Sequence, residues 1–187
     1  MSGEGARRES WRVEASRTLI ADPWMHLRAE RCVTPRGVVL DPYYMLDYRD
    51  WAHVAAFDSD DNLVMARQYR HGAGALSLEL PGGIVDTGED AAAAAARELL
   101  EETGYAASAL VPLAALSPNP SNYTNHLHLF LATDVQRRSA QNLDTGEDIA
   151  VELVPWRRAR EMALDGQMIN AAHVGLLWIA LARTGRI

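Results

Sequence analysis

The chain has 187 residues, of which 48% are apolar and 23% charged, the balance of one soluble globular domain with room for a small appendage. A formal net charge of −7 argues against nucleic acid or an anionic membrane surface as the main partner. The single cysteine, Cys32, excludes an internal disulfide and reads as a core thiol. With a polar segment at 1–10 that lacks the apolar stretch of a signal peptide, it points to a reducing cytoplasm. The longest apolar run near the C-terminus, 174–182, is too short to span a bilayer.

In chain order, the first quarter reads as short strands at 11–15, 26–34, 38–40 and 43–48, with Thr34-Pro35-Arg36-Gly37 as a hairpin turn. Strands at 54–57 and 63–68 flank the turn-rich Asp58-Ser59-Asp60-Asp61-Asn62. A further strand at 76–80 has to stop at Pro81-Gly82-Gly83. Thr87, followed three residues later by Asp90, resembles a capping box, and the alanines that follow predict a helix that Gly104 stops. Strands at 126–132 and 149–153 come next, then helices at 156–164 and 171–183. Strands, a central helix, more strands and terminal helices predict an α/β (α+β) sandwich with a mixed sheet, as opposed to a regular doubly wound one.

The chemistry concentrates in the central helix. Between Gly83 and Tyr105 six acids (Asp86, Glu89, Asp90, Glu98, Glu101, Glu102) accompany one base, Arg97. Glu98, Glu101 and Glu102 stand at i, i+3 and i+4, so they project from one side of the helix, opposite Ala92, Ala95 and Leu99. Carboxylates gathered this closely repel unless a cation joins them, and a hard divalent ion such as magnesium prefers such oxygen ligands. A solvated, glutamate-rich surface is the bland alternative, and this spacing alone does not decide between them.

The wider segment does. Gly83-x5-Glu89-x7-Arg97-Glu98-Leu99-x-Glu101-Glu102-x-Gly104-Tyr105 resembles the signature of the Nudix hydrolases. It departs only at the last place, where Tyr105 replaces the usual aliphatic residue and can still fill a core site. The flanks Arg67-Gln68-Tyr69-Arg70, Leu78-Glu79-Leu80-Pro81-Gly82-Gly83, Glu147-Asp148-Ile149 and Gly166-Gln167-Met168-Ile169-Asn170-Ala171 resemble the branch of ADP-ribose and nucleoside diphosphate sugar pyrophosphatases.

That resemblance implies a Nudix-type α/β/α sandwich over 49–187 and a small antiparallel β subdomain over 1–48 that forms a homodimer. It implies magnesium or manganese held by the Gly82 carbonyl, Glu98 and Glu102, with Glu101 and Glu147 as further ligands. The general base is expected on the polar loop 136–148, where Glu147 is the first choice. The earlier acid that some relatives carry there is replaced by Thr145, so Glu147 as ligand, with Asp144 or Glu101 as base, stays open. Arg97 stands with Glu101 and Glu147 in the catalytic set, although its expected work, with Glu89, is to brace the loop against the helix.

Arg70, whose planar guanidinium suits a phosphate, is expected to bind substrate. So are Glu79 at the lip of the loop, Trp24 as a stacking surface, Asn119 and His128. Pro120, some fifteen residues past the signature, fits the ADP-ribose branch, whereas Asn119-Pro120 with Asn125-x-x-His128 is closer to members acting on nucleoside diphosphate sugars. The implied reaction is metal-dependent hydrolysis of the pyrophosphate bond of ADP-ribose or a nucleoside diphosphate sugar such as GDP-mannose. It releases a nucleoside monophosphate and a sugar phosphate. The alternatives are hydrolysis of nucleoside triphosphates or dinucleoside polyphosphates, and a non-catalytic nucleotide-binding regulator.

Overall fold

The computed structural model describes residues 10–187, so all but Ser10 of the polar opening segment lies outside the described residues. It divides into two compact units, the residues up to Tyr48 with Asn119–Asn125, and Arg49–Pro118 with His126–Ile187.

In the first unit β1 (Arg12–Ala21), β2 (His26–Val33) and β3 (Val39–Leu46) form an antiparallel meander. Its second turn is the hairpin expected at Thr34: Thr34 donates its N–H to Val38 O at 2.9 Å, and Gly37, at φ 78°, donates to Thr34 O. The strands predicted at 38–40 and 43–48 run on as one, because β3 stays paired to β2 on both sides of Asp41-Pro42. β1 is longer than its apolar start suggests, and every residue in it is exposed. Its extent comes from pairing with β2, a tertiary contact that local pattern does not record. Cys32 is buried, as expected.

The second unit comprises β4 (Trp51–Ala56), β5 (Asn62–Arg70), β6 (Ala75–Glu79), β7 (Gly82–Ile84), α1 (Ala91–Thr103), β8 (Tyr105–Ala106) and β9 (Val111–Leu116). It continues with β10 (Leu127–Ala132), β11 (Gln136–Arg137), β12 (Ile149–Pro155), α2 (Trp156–Leu164) and α3 (Ala171–Arg183). One sheet has the order β7-β4-β10-β9, with β4 and β10 parallel and the other pairs antiparallel. A second, β12-β5-β6, is antiparallel throughout.

Period-two alternation along the strands builds the layers. Ala52, Val54 and Ala56 of β4, Val64 of β5, and Phe130 and Ala132 of β10 pack on Ala94, Ala95 and Leu99 of α1. The intervening Ala55, Leu63, Met65 and Leu129 pack on Leu176, Leu177, Ala180 and Leu181 of α3, with Ala159 of α2. The result is an α+β sandwich with a mixed sheet and helices on both faces, as the element order predicts. β9 was not foreseen, because Pro112 breaks a strand pattern. It sits at the sheet edge, with its register shift beside Pro112, where a missing N–H is tolerated. Among the described residues no helix is long and apolar enough to cross a membrane.

Candidate active site

The acids on α1 owe their placement to the two ends of that helix. Asp90, which was expected inside a capping box begun by Thr87, is itself the N-cap: its carboxylate accepts the N–H groups of Ala92 (2.9 Å) and Ala93 (3.3 Å). Gly104 closes the helix at φ 75°, donating to Leu100 O. Between them Ala94, Ala95 and Leu99 are buried, and Ala92, expected in that set, is only partly so. The three glutamates are graded in exposure. Glu101 is the most open, Glu98 is largely covered, and Glu102 is 4% exposed. Tyr105 packs partly buried against the α1 cluster, the place its ring was expected to fill.

Two glycines let the preceding loop close on these acids. A Cβ on Gly82 would lie 2.2 Å from Ala52 O, and one on Gly83 would lie 2.6 Å from the Glu98 carboxylate. With hydrogen in both places, the Gly82 N–H reaches Glu102 Oε2 at 2.8 Å. Arg97 ties the outer side. It donates to both oxygens of Glu89 at 3.0 Å, to Glu98 at 2.9 Å, to Glu101 at 3.0 Å and to Ile84 O. Every donor of the guanidinium is held this way, so Arg97 braces loop to helix. Among the described residues no three His, Cys, Asp or Glu side chains stand at metal-ligand spacing.

Burial governs the charge of this group. It pushes the Glu102 carboxyl up to about 8, against the Gly82 N–H, with the charges of Glu98 and Glu147 adding to the rise. Burial also raises Glu98, opposed by Arg97 and reinforced by Glu101 and Glu147. Glu147 is exposed on the loop before β12, and its carboxylate accepts the N–H of Asp144 at 3.0 Å. That loop is fastened on both sides of Glu147. Asn142 donates its N–H to Glu101 O at 2.9 Å, and Gln141 Nε2 donates to Glu102 O at 2.7 Å and to Ile149 O at 2.9 Å.

Arg70, at the end of β5, leans on Glu79 at the end of β6, with Nε to Oε1 at 3.2 Å and Nη2 to Oε2 at 2.5 Å. The Arg70 side chain is 46% exposed and that of Glu79 only 1%. Glu79 was expected to meet substrate, but its oxygens are taken by Arg70 and by Asn170 Nδ2 at 3.2 Å, and His173 Nε2 lies 3.3 Å away. Glu79 is thus the buried carboxylate on which the Arg70 guanidinium rests. Burial alone would raise its carboxyl; the Arg70 hydrogen bonds and the neighbouring His173 and Ser77 hold it down to about 2. A cavity of about 250 Å³ opens here, lined by Arg70, Ser77, Glu79, Ile169 and Asn170 among others.

His128 shares one strand face with His126, the rings 6.3 Å apart, and its Nε2 pairs with Asp50 at 2.8 Å. Trp24 and Asn119 belong to the first unit. Trp24 is 87% exposed in the turn after β1. The Asn119 amide is used in its own turn, donating to Asn122 Oδ1 at 2.7 Å and accepting from Ser121 N–H. Sequence reasoning passed over Gln141, Asn170, His173 and His53. For two of them a signal existed: Asn170 stands just ahead of an alanine pair, as an N-cap would, and His173 interrupts an otherwise apolar helix.

Comparison with known proteins places the chain in a family. The NUDIX domain family matches residues 47–173, and the nucleoside diphosphate sugar hydrolase N-terminal domain matches residues 11–46. A protein of Mycobacterium tuberculosis named ADP-ribose pyrophosphatase is 30% identical over 91% of this chain and 84% of its own. The ADP compounds hydrolase NudE of Escherichia coli is 33% identical over 64% of each chain. A solved structure described as an ADP compounds hydrolase superposes with a TM-score of 0.82 at 24% identity, over 96% of this chain and 98% of that one.

Proposed function

The chain belongs to the Nudix hydrolase family, and on that footing we propose that it hydrolyses the pyrophosphate bond of ADP-ribose or a nucleoside diphosphate sugar such as GDP-mannose. The products are a nucleoside monophosphate and a sugar phosphate. The observation that carries the reading is the pair Glu98 and Glu102 folded against the Gly82-Gly83 loop, Glu102 accepting the Gly82 N–H and Glu98 filling the space a Gly83 side chain would need. Burial raises both carboxyls, and the charge of Glu147 adds to the rise in each. Such a set suits a hard cation, because a positive ion offsets both the mutual repulsion and the cost of burial. Glu98, Glu102 and the Gly82 carbonyl would hold magnesium or manganese, with Glu101 and Glu147 beside them. A bound divalent ion supplies charge neutralisation of the diphosphate and a lower pKa for the attacking water.

This chain's own groups do the rest. Arg70, presented on the buried Glu79, orients a phosphate of the substrate. Glu147, exposed on a loop fastened at both ends, accepts the proton of the water as its oxygen attacks phosphorus and the bridging P–O bond breaks. The bridging oxygen leaves on the departing phosphate. His128 and Asn119 have polar partners that a ligand would have to replace, and Trp24 offers an open ring for a nucleobase. The segment 1–48 is read as the dimer-forming subdomain, with 49–187 as the hydrolase domain. The exposed Trp11, Val13, Leu19 and Ile20 supply apolar surface for a homodimer. With a net charge of −7 and a nucleotide-sized substrate, neither nucleic acid nor membrane is a partner of this cytoplasmic enzyme.

The test is product analysis with magnesium and a panel of ADP-ribose, GDP-mannose, other nucleotide sugars, nucleoside triphosphates and dinucleoside polyphosphates. AMP with ribose 5-phosphate, or a monophosphate with a sugar phosphate, is the expected result. Cleavage of triphosphates or polyphosphates alone would move the chain to another activity of the family. Binding without cleavage would make it a regulator.

A further inference from the structure

The start of α3 carries two polar side chains that reach Glu79, the half-buried cap Asn170 and the buried His173. Asn170 caps the helix, accepting the Ala172 N–H at 3.1 Å through Oδ1, and its Nδ2 donates to Glu79 Oε1 at 3.2 Å. Three residues on, and so on the same side of the helix, His173 is 4% exposed. Its Nδ1 accepts the Leu80 N–H at 3.0 Å. That contact fixes the tautomer, because a ring nitrogen that accepts carries no proton. The single proton of the neutral ring therefore sits on Nε2, which faces Glu79 Oε2 at 3.3 Å. Each Glu79 oxygen thus meets one Arg70 nitrogen and one group from α3.

We propose that His173 is a positioning residue that couples α3 to both sides of the active site. One ring nitrogen steadies the Glu79 carboxylate that presents Arg70, and the other holds Leu80, two residues ahead of Gly82. The proposal rests on the reading that Arg70 orients a substrate phosphate. Its physical basis is that each contact is buried. Removing the ring leaves the Leu80 N–H without an acceptor and withdraws a polar partner from a carboxylate with no solvent of its own. His53 closes the far side of the ring at a centroid distance of 4.6 Å, in an edge-on arrangement. The groups facing His173 are therefore Glu79 and, through it, Arg70, then Asn170 on its own helix, the Leu80 backbone, and His53.

The two contacts can be separated by substitution. His173→Gln retains an amide N–H for Glu79, His173→Asn retains a short acceptor for Leu80, and His173→Leu keeps neither. Steady-state kinetics with ADP-ribose should show KM raised about tenfold in His173→Leu, the scale of losing an outer-shell partner, with recovery in His173→Gln. The same change in an Arg70→Ala background should alter KM by less than about twofold, because the effect on KM runs through Arg70, whereas loss of the Leu80 contact reads in kcat, which His173→Asn should restore. Additive losses in the double variant, or a folded His173→Leu with native KM, would overturn the coupling. Long-range proton–nitrogen NMR of the full-length protein reads the contact without turnover. The expected result is a neutral His173 with its proton on Nε2, whose signals move in Arg70→Ala. A proton on Nδ1, or no response to Arg70→Ala, would overturn the proposal. This reading separates failure of the coupling from failure of the Arg70 assignment, which a native KM in Arg70→Ala would reveal.

Discussion

Glu79, Glu102, His53 and His173 are buried residues whose ionisation is shifted in the fold, and they pull stability in different directions with pH. Burial first, then the neighbouring His173, depresses His53 from 6.5 to about 3; burial likewise brings His173 from 6.5 to about 4. A base whose folded pKa is depressed binds fewer protons than the unfolded chain between the two values, so stability falls as pH drops through that window. Glu79, depressed from 4.5 to about 2, adds a loss of the same sign lower down. Glu102 works the other way. Its carboxyl is raised from 4.5 to about 8, so its contribution is full below about 4.5 and is lost as pH rises through about 8. Two histidines outweigh one glutamate between about 6.5 and 4.5, and the melting temperature is predicted to begin falling already below about pH 6.5. Glu102→Gln should steepen that fall by removing the opposing group, as melting curves against pH will record. A melting temperature flat from pH 7 to 5 in both proteins would contradict the buried, neutral state of the two rings. Of these residues Glu79 and Glu102 were legible in the sequence as candidates, but not their burial. His53 was hidden in an apolar strand, and His173, though it interrupts an apolar helix, carries no spacing that names its partner.

Elements show where local pattern suffices and where it does not. The helix from Ala91 to Thr103 was legible because alanine propensity, a capping side chain and a terminal glycine agree on it. The cap itself was misplaced, since Thr87 and Asp90 fit a capping box by spacing, whereas the carboxylate that accepts Ala92 and Ala93 belongs to Asp90. Substitution separates the two. Asp90→Ala should cost about 1 kcal/mol of stability and Thr87→Ala close to nothing, measured by denaturant unfolding; the reverse order would restore the box. β9 and the full length of β1 escaped the sequence because both are decided by pairing partners far along the chain. Pro112 hid the one, and the uniform exposure of β1 hid the other. Within the loop 136–148, Gln141 and Asn142 are pinned to the end of α1, leaving a short span that carries Glu147, and these long-range contacts left no trace in local pattern.

For the molecule as a whole, the layered sandwich follows from alternation. Successive residues of β4 go to α1 and to α3, so one strand supplies both cores and a few residues of neighbouring loops meet at its end. Arg70, Gly82 and the glutamates of α1 are separated by up to 32 positions in sequence, yet they share one electrostatic environment because β4–β7 pairing returns the Gly82 loop to α1. That convergence was legible only through the family resemblance, since spacing alone left a solvated helix face standing as the alternative. The account rests on Glu102 serving a bound cation and not merely filling space beneath Gly82. The most direct measurement is magnesium-dependent hydrolysis of ADP-ribose by the native protein and by Glu102→Gln, with folding checked by circular dichroism. The account predicts a folded variant whose turnover falls by more than about a hundredfold, beyond the cost of an outer-shell partner. Near-native turnover in a folded Glu102→Gln would contradict it.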